Sequence, residues 1–355
     1  MTVMVTGIGH VGGYVVRDLL DAGERVVLYG FFGGTGDPAD LFPPDLQFVD
    51  QLVGGGLRDK TEIVVGDVAD LDALVDVMER YEVTKVVHLA SLLSAGVEAN
   101  PPLAARVNVV GMANVLEAAS RLNLKKVVWA SSVDVFGDGS ADASGVVTDD
   151  APYDPPFIYG ATKVMGEQMA WRYAENHGLS ITGLRLTRGY GFGEHIKSGR
   201  GAGSSWMTGL LYEPAVGSGV EVVVPFGARY MDFLYLEDVS DAFLKALSRV
   251  DRGSRNYIIR GDFRRVSDAF DFVHSLFPDA PLSTVMEDAP LPPGSSLAWE
   301  RRYDGSRATA EIGYQSKFSL EDGLLRTINL NRASVGLEPV VSPESEAEVE
   351  VVVSP

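Results

Sequence analysis

The chain has 355 residues, 46% apolar and 22% charged, an ordinary composition for a folded protein with room for one large or two smaller cores. It has no cysteine, which excludes disulfides, thiolate metal sites and a cysteine nucleophile. Its net charge of -19 argues against nucleic acid and anionic membranes as partners.

A short apolar run, Val3-Met4-Val5, ends in glycines, so no leader peptide is expected. No apolar run approaches the ~18 residues that span a bilayer. The expected location is cytoplasmic. Val11, Val15, Val16, Leu19 and Leu20 then follow helical spacing up to Gly23. Further strands are read at Arg25 to Tyr29, Ile63 to Val65, Lys85 to Leu89, Lys125 to Ala130 and Ser180 to Leu186. Helices are read after Leu71, from about Pro102 to Leu122, and from Tyr159 to His177. Gly30 to Lys60 and Gly137 to Pro156 read as long loops rich in Gly, Asp and Pro.

Strands alternating with helices mean βαβ units, and continuous apolar strands mean that both faces are covered. The expected fold is α/β, a doubly wound parallel sheet of the Rossmann type with a smaller C-terminal substrate lobe. Residues 1–187 form mainly the dinucleotide-binding half. Residues 188–332 form mainly the substrate lobe, with returns to the main sheet. Within it, Arg188 to Arg229 and Pro278 to Tyr303 read as irregular, and Asp232 to Arg249 as a strand and a helix. From Ala333 there is no Lys or Arg but several Glu, so 333–355 reads as a disordered acidic tail.

Gly7-Ile8-Gly9-His10-Val11-Gly12 follows a strand and opens a helix. Glycines there allow a tight turn and close approach of a ligand, and the helix N-terminus offers free N–H groups to a pyrophosphate. Users of NAD commonly carry an acid at the end of the second strand. This chain has Tyr29 and Gly30 there, and the next acid is Asp37. No Arg or Lys between Gly30 and Thr35 is placed for a 2′-phosphate, so the cofactor is read as NAD or NADP, with NAD the first choice.

Ser131-Ser132 end the fifth strand, and Tyr159 and Lys163 share one face of the next helix. A phenol with a pKa near ~10 is a poor base at neutral pH. A neighbouring ammonium and a cationic nicotinamide both favour its phenolate. With a Ser hydroxyl to hold the reacting oxygen, the three groups can move a proton while a cofactor takes a hydride.

In order along the chain stand Thr6-Gly7 to Gly12, Gly66-Asp67-Val68, His88-Leu89-Ala90-Ser91, Asn108-Val109-Val110-Gly111 and Ser131-Ser132 to Phe136-Gly137. Tyr159-Gly160-Ala161-Thr162-Lys163, Asp232 to Tyr235 and Asp304 to Arg307 complete the series. The chain from about residue 3 to 330 resembles the extended short-chain dehydrogenases/reductases, the NAD-dependent epimerase/dehydratase family. The resemblance implies that Tyr159 is the catalytic acid/base, Lys163 the lysine that lowers its pKa and holds the nicotinamide ribose, and Ser132 the catalytic hydroxyl. It implies cofactor contacts at Gly7, Gly9, His10, Val11, Gly12, Asp67, Val68, Leu89, Ala90, Ser91, Asn108, Lys163 and Thr187. Substrate contacts are expected at Ser91, Ser132, Val133 and Arg188. It also implies a homodimer paired through the helices at about 103 to 121 and 159 to 177.

The chain departs from that family's pattern in places. Its glycine loop is one residue short. Val133 stands where sugar dehydratases carry Asp. Arg188 replaces a common Asn, and Met231 an Arg that grips a nucleotide diphosphate, with Arg229 as a substitute on the same strand. His88 to Ala95, Asn100-Pro101, Asn108 and Lys126 to Trp129 are locally similar to the short-chain-type threonine 3-dehydrogenases.

Arg185, Arg188, His195, Lys197 and Arg200 cluster in an acidic chain, either as a clamp for an anionic substrate or as a solvated loop. Asp134 and His195 read as structural or solvent-facing, with assistance to the chemistry as the alternative, and Trp129, Trp171 and Trp206 as packing. The five His have no metal-ligand spacing, so no metal is expected. The reading is an NAD(P)-dependent oxidoreductase interconverting a secondary alcohol and a ketone on a small polar or sugar-like substrate. The alternatives are a nucleotide-sugar epimerase and a cofactor-sensing protein without catalysis.

Overall fold

A computed structural model describes residues 1–32, 44–199, 205–287 and 300–342. Seven strands form its central sheet: β1 (Thr2–Thr6), β2 (Arg25–Gly30), β3 (Thr61–Val65), β4 (Lys85–His88), β5 (Lys126–Ser132), β6 (Ser180–Leu186) and β7 (Gly253–Ile259). Their order is β7-β6-β5-β4-β1-β2-β3, and every pair is parallel. The order reverses at β1, which lies between β2 and β4, so a crevice opens at its carboxyl end.

Alternate residues of each strand supply two cores. Val3, Val5, Val26, Leu28, Val128 and Tyr257 meet the helices His10–Asp21, Pro44–Leu52, Leu236–Ser248 and Ser306–Ile312. Met4, Val27, Val86, Val127, Trp129 and Ile181 meet Leu71–Arg80, Gly111–Arg121 and Ile158–His177 on the other face. Each fully buried Val or Leu contributes about 1.5–3 kcal/mol, which is why polar residues are rare in these strands.

The C-terminal lobe has its own core. A sheet of Arg188–Tyr190, Tyr230–Tyr235 and Asp262–Arg265 packs with the helices Ser205–Val216, Val266–Leu276 and Leu320–Ser334 around Tyr190, Met207, Phe233, Val273 and Leu324. Strand β7 pairs with β6 in the main sheet, and the helix before it, Leu236–Ser248, packs into the core of that sheet.

Several loop readings are corrected. Arg188 to Arg229 is largely regular, with strands Arg188–Tyr190 and Val222–Val224 and helices Glu194–Gly199 and Ser205–Val216. The last helix buries Met207, Leu210, Leu211 and Ala215 and carries Pro214, so its sequence shows no polar stripe from which to read a period. Gly30 to Lys60 holds the helices Pro44–Leu52 and Leu57–Lys60, and Asp37 lies outside the described residues. In Pro278 to Tyr303, Leu282–Thr284 pairs with Val222–Val224, and Arg302–Tyr303 pairs with Val146–Val147.

The acidic tail does not start at 333. Ala333 and Ser334 finish a helix, and Val340 exchanges hydrogen bonds with the Asn329 side chain at 2.8 and 2.9 Å. Residues 343–355 lie outside the described part. Trp171 is half exposed on its helix rather than packed inside. Among the described residues no helix is long and apolar enough to cross a membrane.

Candidate active site

The glycine loop sits at the crevice. Gly7 has a φ of +74°, and a Cβ there would lie 2.4 Å from the backbone N and Cα of Ala90. Only glycine fits that contact, which presses the loop onto the Leu89-Ala90 segment leaving β4. A Cβ on Gly12 would meet the Gly7 carbonyl at 3.0 Å. The helix His10–Asp21 begins after Gly9 with no side-chain cap and no acid in its first turn. Its leading N–H groups therefore suit an anion, as a dinucleotide pyrophosphate requires. The His10 side chain points away, with Nε2 3.2 Å from the Gly191 carbonyl and Nδ1 3.9 Å from Glu194, so only its backbone serves the loop. Val11 packs against the core.

Tyr29 does more than replace an acid. It is buried, and a Cβ on Gly66 would fall within 2.4 Å of its ring. Its hydroxyl donates to the Asp67 carbonyl at 3.1 Å. Asp67 itself accepts from Ala69 N at 2.9 Å and from Arg106 Nη2 at 2.6 Å. Val68 is buried under Gly111 in the core, so its side chain is structural.

Ser132, Tyr159 and Lys163 come together at the carboxyl end of β5. Lys163 is buried, and its Nζ donates to the Ala130 carbonyl at 2.9 Å and to Ser91 Oγ at 3.1 Å. It lies 5.3 Å from the centre of the Tyr159 ring. Ser132 Oγ accepts from Asp134 N at 3.1 Å and donates to Asp134 Oδ2 at 3.2 Å. Asn108 lies on a wide π-helical segment, Ala105–Val110, inside the helix read from 102 to 122. It accepts from Leu92 N at 2.8 Å and donates to Leu92 O at 3.1 Å and Thr162 Oγ1 at 3.2 Å. That tyrosine-lysine helix and the loop after β4 are thereby fixed to each other. Such wide turns are frequent at functional sites.

Burial pushes the Tyr159 phenol up, the Asp134 carboxylate adds to this, and the Ser132 hydroxyl works against it. Burial, rather than the expected pull of the ammonium, thus sets the direction for the phenol in the protein itself. Burial pushes Lys163 down to about 8, against the attraction of Asp134 and Glu167. His88, 2.7 Å from Thr6 Oγ1, is pushed down to about 3 by burial and then by the charge of Lys163, and it stays neutral.

Beneath these groups lies a buried ion network that the sequence reading missed. Glu167, one helical turn past Lys163, accepts from Ser131 Oγ at 2.6 Å, Tyr153 Oη at 2.7 Å and Asn256 Nδ2 at 2.9 Å. Arg185 grips both its oxygens, from Nε at 2.9 Å and Nη2 at 2.6 Å, and donates to the Asp149 carbonyl oxygen at 2.7 Å. The available signal was the spacing of Glu167 four residues after Lys163.

Arg185 is therefore no ligand clamp. Arg188 turns to the Gly189 carbonyl at 2.7 Å and to Glu194 at 3.4 Å. Thr187 lies at the end of β6 and donates to Asp232 at 2.7 Å. Val133 is buried in a small core with Phe136, Ile258 and Tyr303, so its side chain is committed to packing rather than to a substrate. His195 is exposed on its short helix, and partial desolvation lowers its pKa against the attraction of Glu194. The Lys197 side chain and Arg200 lie outside the described residues.

A model of the family described as "NAD dependent epimerase/dehydratase family" matches residues 3–259. An uncharacterized epimerase/dehydratase of Staphylococcus aureus is 28% identical over 260 residues, 72% of this chain and 77% of that protein. Among solved structures, MoeE5 in complex with UDP-glucuronic acid and NAD is 25% identical with a TM-score of 0.73, covering 94% of this chain and 100% of its own. A monomeric L-threonine 3-dehydrogenase from a metagenome, in its apo form, shares the fold at 22% identity and a TM-score of 0.75, covering 93% and 99%.

Proposed function

The chain belongs to the NAD dependent epimerase/dehydratase family, and on that premise we propose that it interconverts a secondary alcohol and a ketone on a small polar or sugar-like substrate. The observation that carries this reading is Lys163, held between the end of β5 and the loop after β4, with Tyr159 and Ser132 beside it. NAD, when bound, supplies the hydride acceptor at C4 of its nicotinamide. The loop Gly7 to Gly12 and the helix it opens would hold the pyrophosphate, and Lys163 and Ser91 the nicotinamide ribose. Tyr159 Oη takes the proton from the substrate hydroxyl, and Ser132 Oγ orients that oxygen. Lys163 keeps a positive charge beside the phenol and lowers the cost of ionising it.

The adenosine side favours exchange of the cofactor. No acid stands at the end of β2, and Asp67 is paired with Arg106. The purified protein is expected to be largely free of cofactor and, with its substrate, to reduce added NAD in stoichiometric amounts. Purification with a full complement of non-exchangeable NAD, and inversion of a nucleotide sugar without added cofactor, would instead establish an epimerase.

One observation favours that second reading. A cavity of about 740 Å³ is lined by Arg229, Tyr230, Phe263, Glu300, Arg301 and Arg302; Arg229 pairs with Glu300 at 2.9 Å and Arg301 with Asp138 at 2.6 Å, which leaves Arg302 to offer a diphosphate counter-charge. Met231 does not count against it, because its side chain is buried in the lobe core.

A homodimer is proposed as well. Leu103, Val110, Ile158, Met165 and Trp171 lie exposed along the helical segments within 101–110 and 158–177. A monomeric mass by light scattering at micromolar concentration refutes it.

A further inference from the structure

A second cavity, of about 290 Å³, lies at the other end of the sheet, where β5, β6 and β7 begin. Lys126, Thr182, Arg249, Arg252 and Arg255 line it, an excess of cations in a chain of net charge -19. Ser180 stands opposite Gly253 and Thr182 opposite Arg255, so the strands present these residues on one face. The same face carries Val128, Leu184 and Tyr257 into the core further along. The cavity is thus the unfilled mouth of that core, between the sheet and the ends of two helices.

Lys126 is 3% exposed. Its Nζ donates to Ser180 Oγ at 3.1 Å and Thr182 Oγ1 at 2.8 Å, both neutral acceptors. Among the described residues it forms no ion pair. Burial pushes it down to about 8, with Arg249 and Lys85 acting in the same direction and Asp251 against it. A buried ammonium without a carboxylate is costly. The neighbouring Lys85 is satisfied differently, by the Leu247 carbonyl at 2.9 Å.

The two acids on the wall already have partners. Asp251 accepts from Arg249, and Glu311 accepts from Tyr257 Oη at 2.7 Å. Arg252 is exposed at the rim and forms no ion pair among the described residues. The space holds about ten waters at ~30 Å³ each, enough for a phosphate group on a short carbon skeleton.

We propose that this cavity is a binding site for a small oxyanion of the phosphate class, with Lys126 and Thr182 at its floor and Arg252 and Arg255 at its mouth. It is separate from the dinucleotide crevice at the carboxyl ends of the strands. Hydroxyls and a buried ammonium give directed donors, and the rim guanidiniums match a tetrahedral anion in pairs.

The test is calorimetric titration of the full chain with inorganic phosphate and with glycerol 3-phosphate, at constant ionic strength set by KCl. Saturable binding at a single site is expected, weakened about tenfold or more by Arg252→Glu and by Lys126→Met, the loss of one charge-assisted contact. Equal affinity for both probes means that the phosphate group alone is recognised. Tighter binding of the ester means a phosphorylated metabolite. The exposed Arg252 variant keeps the test decisive should Lys126→Met fail to fold. Absence of saturable binding by both probes overturns the proposal. So does binding that survives Arg252→Glu, since phosphate held at the glycine loop is indifferent to Arg252.

Discussion

Replacing Arg185 by Met removes a guanidinium that makes two bonds to Glu167 and one to Asp149 O, at 2.6 to 2.9 Å, from a side chain 4% exposed. Met has similar length and leaves little cavity. The loss is therefore electrostatic: Glu167 stays buried with its charge uncompensated. Removing one partner of a buried pair costs about 3–5 kcal/mol. Ser131, Tyr153 and Asn256 still donate to Glu167, which places the expectation near the lower end, about 3 kcal/mol. Against a total stability of about 5–15 kcal/mol this is a large fraction. In urea, with a slope of about 3 kcal/mol/M, it moves the unfolding midpoint by about 1 M. Adding Glu167→Gln to the Met variant is expected to recover part of the loss, because the orphaned charge is then gone. A loss below about 1 kcal/mol, or single losses that simply add in the double variant, would refute this account. A residue gripping substrate would behave differently, raising KM at unchanged stability.

Tyr159→Phe is expected to abolish turnover and leave NAD affinity within a few fold, whereas Lys163→Ala damages both; more than a tenth of normal turnover in the Phe variant removes Tyr159 from its role. Gly7→Ala forces a Cβ to within 2.4 Å of the Ala90 backbone at a φ of +74°, so it should cost about 1–3 kcal/mol and weaken NAD binding, read by thermal unfolding and titration. Asp149 is pushed up to about 6 by burial, above its ordinary value near 3.8. The folded chain then holds this proton more tightly than the unfolded chain, so the contribution of Asp149 to stability falls as pH rises from about 4 to 6 and is level above. Asp149→Asn should remove that slope from a pH series of urea midpoints; an unchanged slope assigns it elsewhere.

The alternation of strands and helices was legible because strands such as Thr2–Thr6 and Arg25–Gly30 are apolar runs rich in valine and covered on both faces. The glycine loop and the Tyr159–Lys163 pair were legible because their geometry is local, set by one turn or one helical face. Arg185 was misread for the opposite reason. In sequence it neighbours Arg188 and His195, but its partners Glu167 and Asp149 lie far along the chain and meet it only through the pairing of β6 with β5 and β7. Met231 failed likewise, since which face of Tyr230–Tyr235 meets the lobe core depends on elements distant in sequence. At Tyr29 the missing acid was visible, but not the ring closing over Gly66. The helix Ser205–Val216 escaped because its few polar residues, Ser205, Thr208 and Glu213, mark no one face.

The path of the chain between the two halves has a mechanical consequence. It leaves the central sheet at Thr187, returns to its core with the helix from Leu236, leaves again between Ile259 and Asp262, and is back on that core with the helix Ser306–Ile312, after Arg302–Tyr303 has paired with Val146–Val147 in a separate two-stranded sheet. It departs once more between Ile312 and Leu320 to place its last long helix on the lobe. A hinge needs one or two flexible strands of backbone; here every crossing would have to bend together about a common axis. The crevice is therefore expected to admit ligands through movements of its loops rather than by the halves swinging apart. The same interleaving means that neither core can melt while the other keeps its chain in place, so unfolding should follow one cooperative transition instead of two.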